Sequence, residues 1–372
     1  MLPTTPADQP TVAAQPGLPR EQAPTLRALP NWLIILVFCV FAGLIAETFV
    51  TASTSPADIL RRPFIVPFNI VLYGAFDLLA REIIVRRRAG LASALLLGAA
   101  YGFINEGVAA GTWYVVHPQG YLLIGGVDWA WALALTIFHA AISVFTPIAF
   151  IEILFPSIRG QSLLRRRGIV SCMVLLLGCL VVAILVLAPL PLLLFGYRMA
   201  VLAVAVLFSL LAWALPSRRT SVAASAPAPT PSAPAAAPIA RPLPGLWRLR
   251  IAGFLAMFAF FFLTNFVPTV VGALLRTQSH ALLIAQGVYA VMFLAFSAGV
   301  IWRGWSWSQR AGWSPRQNLA LILGGVTFTT LLLNLTEAPM GEVFSTVPFY
   351  ALLIALTIRW RRRSQEAPVA VA

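Results

Sequence analysis

The chain has 372 residues, 60% of them hydrophobic and 10% charged, with a mean hydropathy of +0.87. Soluble domains carry about 25% charged residues. Here the apolar residues come in runs of roughly twenty, near the length that crosses about 30 Å of hydrocarbon, which excludes a soluble globular fold. The net charge of +14 is carried by arginine, since lysine is absent. The arginines cluster between the apolar runs, as cytoplasmic loops do, and no basic stretch is interleaved with base-stacking aromatics, so no nucleic-acid partner is expected.

The arginine and alanine bias points to a GC-rich bacterial genome and hence to the inner cell membrane. Cys39, Cys172 and Cys179 all fall inside apolar runs, where free cysteine behaves as a small hydrophobe. They offer neither a disulfide framework nor a CxxC site. With a Walker loop, an HExxH helix and a serine elbow also missing, no metal and no cofactor are expected.

Residues 1–30 are Pro-rich and lack apolar periodicity, which reads as a disordered cytoplasmic arm. The first apolar run, Trp32 to Val50, is expected to act as an uncleaved signal-anchor. Runs two to six cover Phe64–Val85, Leu91–Val116, Trp129–Phe155, Ile169–Ala188 and Leu192–Leu215. They complete a six-helix unit over 31–215. Residues 216–245 form an Ala/Pro/Ser tract with no apolar face, expected to be a flexible linker. Four further runs, Leu246–Leu275, His280–Trp302, Gln317–Thr336 and Val343–Trp360, make a second unit over 246–360 before the basic tail 361–372. The expected fold class is therefore all-α, a polytopic transmembrane bundle of about ten spans.

Orientation follows from the arginines. The segments 86–90, 156–168, 216–250, 303–316 and 359–363 are rich in them, while the loops near 117–127, 189–191 and 337–342 have none. This alternation places the N-terminus and C-terminus in the cytoplasm. Short words in the third span (Ala94 to Gly98) recur in the ninth (Ala320 to Gly324), a faint hint of the parallel repeats found in some transporters.

Ionisable residues inside apolar spans are functional candidates by default, because burying them in lipid is costly. Glu106 lies ten residues before the end of the third span, and His139 lies ten residues after the start of the fourth. Consecutive antiparallel helices place them at similar depth. Gly98, Gly102, Glu106 and Ala110 follow at four-residue steps, so Glu106 shares a face with glycines that let helices approach closely. Thr136, His139 and Ser143 form a matching stripe, with Pro147 loosening the next turn, and Asn105 flanks Glu106. Such a carboxylate–imidazole couple can exchange a proton near neutral pH.

Asp77 and Arg81, spaced i,i+4, are expected to form a structural ion pair, and Glu82 and Arg86 to repeat it. Glu152 is placed at the headgroups near Arg159. Arg198 is expected to snorkel outward or to pair with Glu47, Glu106 or Glu337. Asn265 joins the same end of the bundle.

A buried glutamate followed one span later by a histidine is loosely similar to the CAAX-type intramembrane proteases. Those proteins carry a Glu-Glu pair with an arginine four residues on. Here Asn105 precedes Glu106 and no arginine follows, and Leu135 stands where a phenylalanine would precede the histidine by four. The chain is not assigned to them. The sequence therefore leads to a transporter-like bundle whose polar cavity is lined by Glu47, Asn105, Glu106, His139, Arg198 and Asn265. The alternatives are a membrane enzyme acting on a lipid or polyprenyl-type substrate and a non-catalytic assembly protein. The expected partners are the lipid bilayer and a small-molecule or lipid substrate, with the oligomeric state open.

Overall fold

The computed structural model describes residues 30–50, 61–89, 91–114, 123–187, 195–215, 242–275, 279–308, 310, 313, 315–336 and 351. Helix α1 (Asn31–Leu44) widens into a π-helical stretch, Ile45–Val50. Helix α2 (Ile65–Arg87) stops where Arg88 turns left-handed at φ 49°. Helix α3 (Leu91–Gly102) widens into the π-helical stretch Phe103–Ala110, and Gly111 at φ 69° ends it. A hairpin of Leu123–Ile124 with Val127–Asp128 follows. Its Asp128 caps α4 (Trp129–Phe138) by accepting from the Trp131 N–H at 3.0 Å. α4 passes through a π-helical stretch, His139–Phe145, into α5 (Thr146–Leu154).

The remaining helices are α6 (Arg166–Val182), α7 (Phe195–Ala214) and α8 (Leu246–Phe261), the last continuing through the π-helical stretch Phe262–Phe266 into α9 (Val267–Leu275). Helices α10 (Ser279–Ser308) and α11 (Pro315–Thr336) complete the described fold.

Among the described residues six helices are long and apolar enough to cross a membrane, beside the shorter apolar helix Asn31–Glu47. That count is lower than the ten expected from the sequence. Helix α2, 23 residues long, carries Asp77, Arg81, Glu82, Arg86 and Arg87, and these charges keep it out of an apolar count. The tenth run, 343–360, lies outside the described residues except for Ala351, as do residues 1–29, 216–241 and the tail 361–372.

Burial shows which helices are central. The spans Ala92–Ala110 and Trp129–Leu154 are 67% and 61% buried, against 11% for Leu246–Leu274 and 17% for Phe195–Ala214. The outer helices turn Leu, Val, Ile and Phe outward, as helices in lipid do, where burying apolar side chains against protein gains little. The glycine face of α3 sets the central contact. A Cβ on Gly98 would lie 2.5 Å from Ala140 Cα, and one on Gly102 would lie 2.9 Å from Thr136 Cα. Backbones this close fit only without a side chain, so the glycines dock α3 directly onto α4 and its π-helical continuation.

The arginines gather at one end of the bundle. Arg86 donates to Glu82 Oε2 (2.8 Å), Ser162 Oγ and the Leu164 carbonyl, and Arg87 lies over the Trp213 ring at 4.6 Å. The Glu82–Arg86 pair thus forms at the i,i+4 spacing, but the Asp77–Arg81 pair does not. Arg81 bonds Glu152 at 3.0 Å and the carbonyls of Ile158 (2.6 Å) and Gln161 (3.0 Å). The last turn of α5 supplies one carboxylate, Glu152, and the loop after it supplies two carbonyls, which together outcompete a single carboxylate one turn back. Glu152 is correspondingly drawn inward to Arg81, and Arg159 donates to its backbone carbonyl at 2.8 Å.

Candidate functional site

Glu106 and His139 meet inside the bundle, with His139 Nε2 2.8 Å from Glu106 Oε1. Both are buried. The other oxygen of Glu106 accepts from the Thr112 hydroxyl, and Asn105 Nδ2 donates to Oε1 at 3.1 Å. Three donors thus converge on the carboxylate, the arrangement an ionised acceptor requires. The other ring nitrogen, His139 Nδ1, lies 2.8 Å from Ser143 Oγ. A serine hydroxyl both donates and accepts. By rotating its hydrogen it serves a neutral imidazole, whose Nδ1 accepts, and an imidazolium, whose Nδ1 donates. The couple can therefore change protonation state while its heavy atoms stay in place.

The network continues outward. Asn105 Nδ2 also reaches the Tyr73 hydroxyl at 3.1 Å, and Tyr73 donates to Glu47. The Tyr101 ring meets His139 edge-on at 5.5 Å and lies 4.9 Å from Tyr73. Glu47, Asn105, Glu106, His139 and Asn265 all line one cavity of about 600 Å³, together with Asn69, Tyr73, Thr112 and Thr264. It reaches the end of the bundle that carries Arg62 and Phe64. Asn265 sits at its rim, donating to the Phe261 carbonyl and to Thr264 Oγ1.

Arg198 departs from the expected lining. It is buried on α7 with Tyr114 in its electrostatic neighbourhood and lies outside the cavity wall. The reason is packing: α7 lies on the far side of α3, where Val201 sits against Gly107. Glu337 and His117 lie outside the described residues.

The candidates share one backbone feature. Glu47, Asn105 with Glu106, His139 and Asn265 each fall in one of four separate π-helical stretches. Such wide turns are uncommon, and they recur at functional sites because they break the regular ladder and re-aim side chains. Two have a local cause. Pro147 and Pro268 lack the N–H that would bond Ser143 and Thr264 four residues earlier, and each follows a widened turn. The Thr146 hydroxyl also reaches back to the Ala141 carbonyl at 2.9 Å.

Residues 36–364 match the model of an uncharacterized membrane protein family. The chain belongs to this family. No curated protein and no solved structure matches it. The family is one of membrane proteins, and Glu106 and His139 lie on two of the helices long and apolar enough to cross a membrane, Ala92–Ala110 and Trp129–Leu154.

Sequence reasoning overlooked Tyr73, Tyr101 and Thr112. A signal existed for the first: Asn69, Tyr73, Asp77 and Arg81 succeed one another at four-residue steps on α2, a polar stripe along an otherwise apolar helix. Thr112 had none, because its reach depends on the turn at Gly111. Among the described residues no group of three or more His, Cys, Asp or Glu is placed to hold a metal ion.

A second, larger cavity of about 950 Å³ lies toward the arginine end, lined mainly by Ala, Leu, Ile, Gly and Phe. Phe138 and Phe260, whose ring centroids lie 6.4 Å apart, line both cavities.

Proposed function

We propose that the protein is a proton-coupled transporter of the bacterial cell membrane, in which the Glu106–His139 couple exchanges a proton as a small polar solute occupies the cavity. The observation that carries this reading is the hydrogen-bonded couple in the wall of a cavity that also presents Glu47, Asn105, Thr112 and Asn265. A protein that only holds others together has no use for such a cavity, and ionisable groups at this depth are retained against a cost of a few kcal/mol. Glu47, Asn69, Asn105, Glu106, Thr112 and Asn265 supply donors and acceptors to the wall, which suits a hydrogen-bonding polar solute. Its volume is within the range of small-molecule sites, roughly 300–1,000 Å³. The apolar lining of the second cavity favours one other reading: a membrane enzyme that holds a lipid chain there and its headgroup at Glu106 and His139 as acid and base.

The test is electrogenic transport and lumenal pH in proteoliposomes of the purified chain, challenged with small cationic and neutral polar solutes. Glu106→Gln and His139→Gln should each reduce solute-driven proton movement at least tenfold, and the double substitution should be little worse than either alone, as expected of contacting groups. Wild-type rates in both single variants would overturn the assignment. Turnover of a lipid by the same preparation, with no solute-driven proton movement, would give the site to the enzyme reading.

A further inference from the structure

Asp77 is fully buried on α2, and neither of its carboxyl oxygens has a hydrogen-bond partner among the described residues. Its expected partner is engaged elsewhere. Buried polar groups are almost always satisfied, and the exceptions call for an explanation. An uncompensated carboxylate there is costly, so Asp77 holds a proton whenever nothing neutralises it. The Tyr101 hydroxyl, also buried, has the Tyr73 hydroxyl beside it and Asp77 in its electrostatic neighbourhood.

We propose that Asp77 is a proton-carrying site in the middle of the membrane that links the Glu106–His139 cavity to the arginine-rich end of the bundle. The stripe Asn69, Tyr73, Asp77 and Arg81 carries it. Twelve residues of helix from Asn69 to Arg81 cover roughly 18 Å at 1.5 Å per residue, more than half of the about 30 Å of hydrocarbon. Asn69 and Tyr73 line the cavity, and Arg81 holds Glu152, whose side chain is 28% exposed at the other end. Asp77 stands between them, the one acid on the path with no fixed partner.

The groups around Asp77 leave a single way in. From α1 comes Cys39, in contact with Gly74 and within electrostatic reach of Asp77. From α6 comes Cys172, which faces Cys39 and Glu82. From α3 comes Tyr101. His139, on the π-helical stretch packed against α2, is held by Glu106, and Glu152 on α5 is held by Arg81. The tyrosines are the only hydroxyls of this set, and the Tyr101 ring touches His139. In the proposed cycle the Asp77 carboxyl releases its proton toward Glu152 and the adjoining water. Tyr101 then gives its hydroxyl proton to the Asp77 carboxylate and takes one from the neighbouring Tyr73 hydroxyl, which is resupplied by Glu47 in the cavity wall, itself protonated from the cavity. One proton enters from the cavity for each one that leaves, and every group ends as it began.

This inference deepens the transport reading and depends on it for its use. Its experiment has an arm that does not. Full-length protein is reconstituted in vesicles with a trapped pH dye, and a potassium diffusion potential drives protons. Asp77→Asn should lower proton flux at least tenfold and Tyr101→Phe severalfold. Asp77→Asn should melt no lower than wild type, since Asn removes an acid that makes no bond. Tyr101→Phe removes only a hydroxyl and serves if Asp77→Asn does not fold. Separately, infrared difference spectra should show a protonated carboxyl band that shifts in D2O and vanishes in Asp77→Asn. Wild-type flux in both variants, or a carboxyl band that ignores D2O, overturns the proposal. A band that exchanges in the absence of any flux, with Glu106→Gln equally silent, supports Asp77 as the proton site and removes the transport reading instead.

Discussion

Replacing Gly98 by alanine tests the docking that creates the Glu106–His139 couple. The new Cβ would lie 2.5 Å from Ala140 Cα and 2.9 Å from the Ala140 carbonyl oxygen, whereas non-bonded carbons rest about 3.5–4.0 Å apart. Both obstacles are backbone atoms, which cannot rotate away, so the helices must part by about 1 Å to restore that spacing. Carried along α3, the same displacement opens the His139–Glu106 contact from 2.8 Å to about 3.8 Å, past hydrogen-bonding reach. Overpacking costs about 1–3 kcal/mol and a lost hydrogen bond to a charged group about 1.5–3 kcal/mol. Alanine returns about 1 kcal/mol of helix propensity, which leaves a net loss of roughly 1.5–5 kcal/mol. The measurement is unfolding by steric trapping in bicelles, paired with the imidazole NMR signals of His139. Gly178→Ala is the control, since a Cβ there meets nothing within 4 Å, and it should hold or gain stability. A Gly98→Ala protein as stable as that control, with the His139 resonances unmoved, refutes the reasoning.

Glu152→Gln should destabilise by about 3–5 kcal/mol because it strands the fully buried Arg81 charge, while Arg81→Leu leaves a partly exposed carboxylate and should cost less, about 1–3 kcal/mol; equal losses in denaturant titrations would contradict this. Glu82 accepts from the N–H groups of Leu163 and Leu164 as well as from Ser162 and Arg86, so Glu82→Ala should cost about 2 kcal/mol or more and expose the 161–165 segment to protease. Reporter fusions after Phe155 and within 217–245 should report cytoplasm and one near Gln119 the outside, and a cytoplasmic signal at Gln119 would reverse the orientation. Replacing 217–245 by a Gly/Ser tract of equal length should leave the yield of folded protein unchanged; its loss would make that segment a structural element.

The sequence by itself determined the class of solvent and the helical architecture, because runs of about twenty apolar residues leave no other way to satisfy backbone groups in lipid. It also determined that Glu106 turns toward His139. Glycines at four-residue steps mark the face along which α3 can approach a neighbour, and residue counts from the span ends fix relative depth. The partners of the other charges were decided only by tertiary structure. Local spacing names every acceptor within one helical turn, but Arg81 chose acceptors 71 to 80 positions away, on α5 and on the loop that follows it. The widened turns beneath Glu47, Glu106, His139 and Asn265 were equally beyond periodicity, which assumes 3.6 residues per turn. Two prolines account for two of those turns. The π-helical stretches at Glu47 and Glu106 contain no proline, so nothing in their own sequence marks the widened turn.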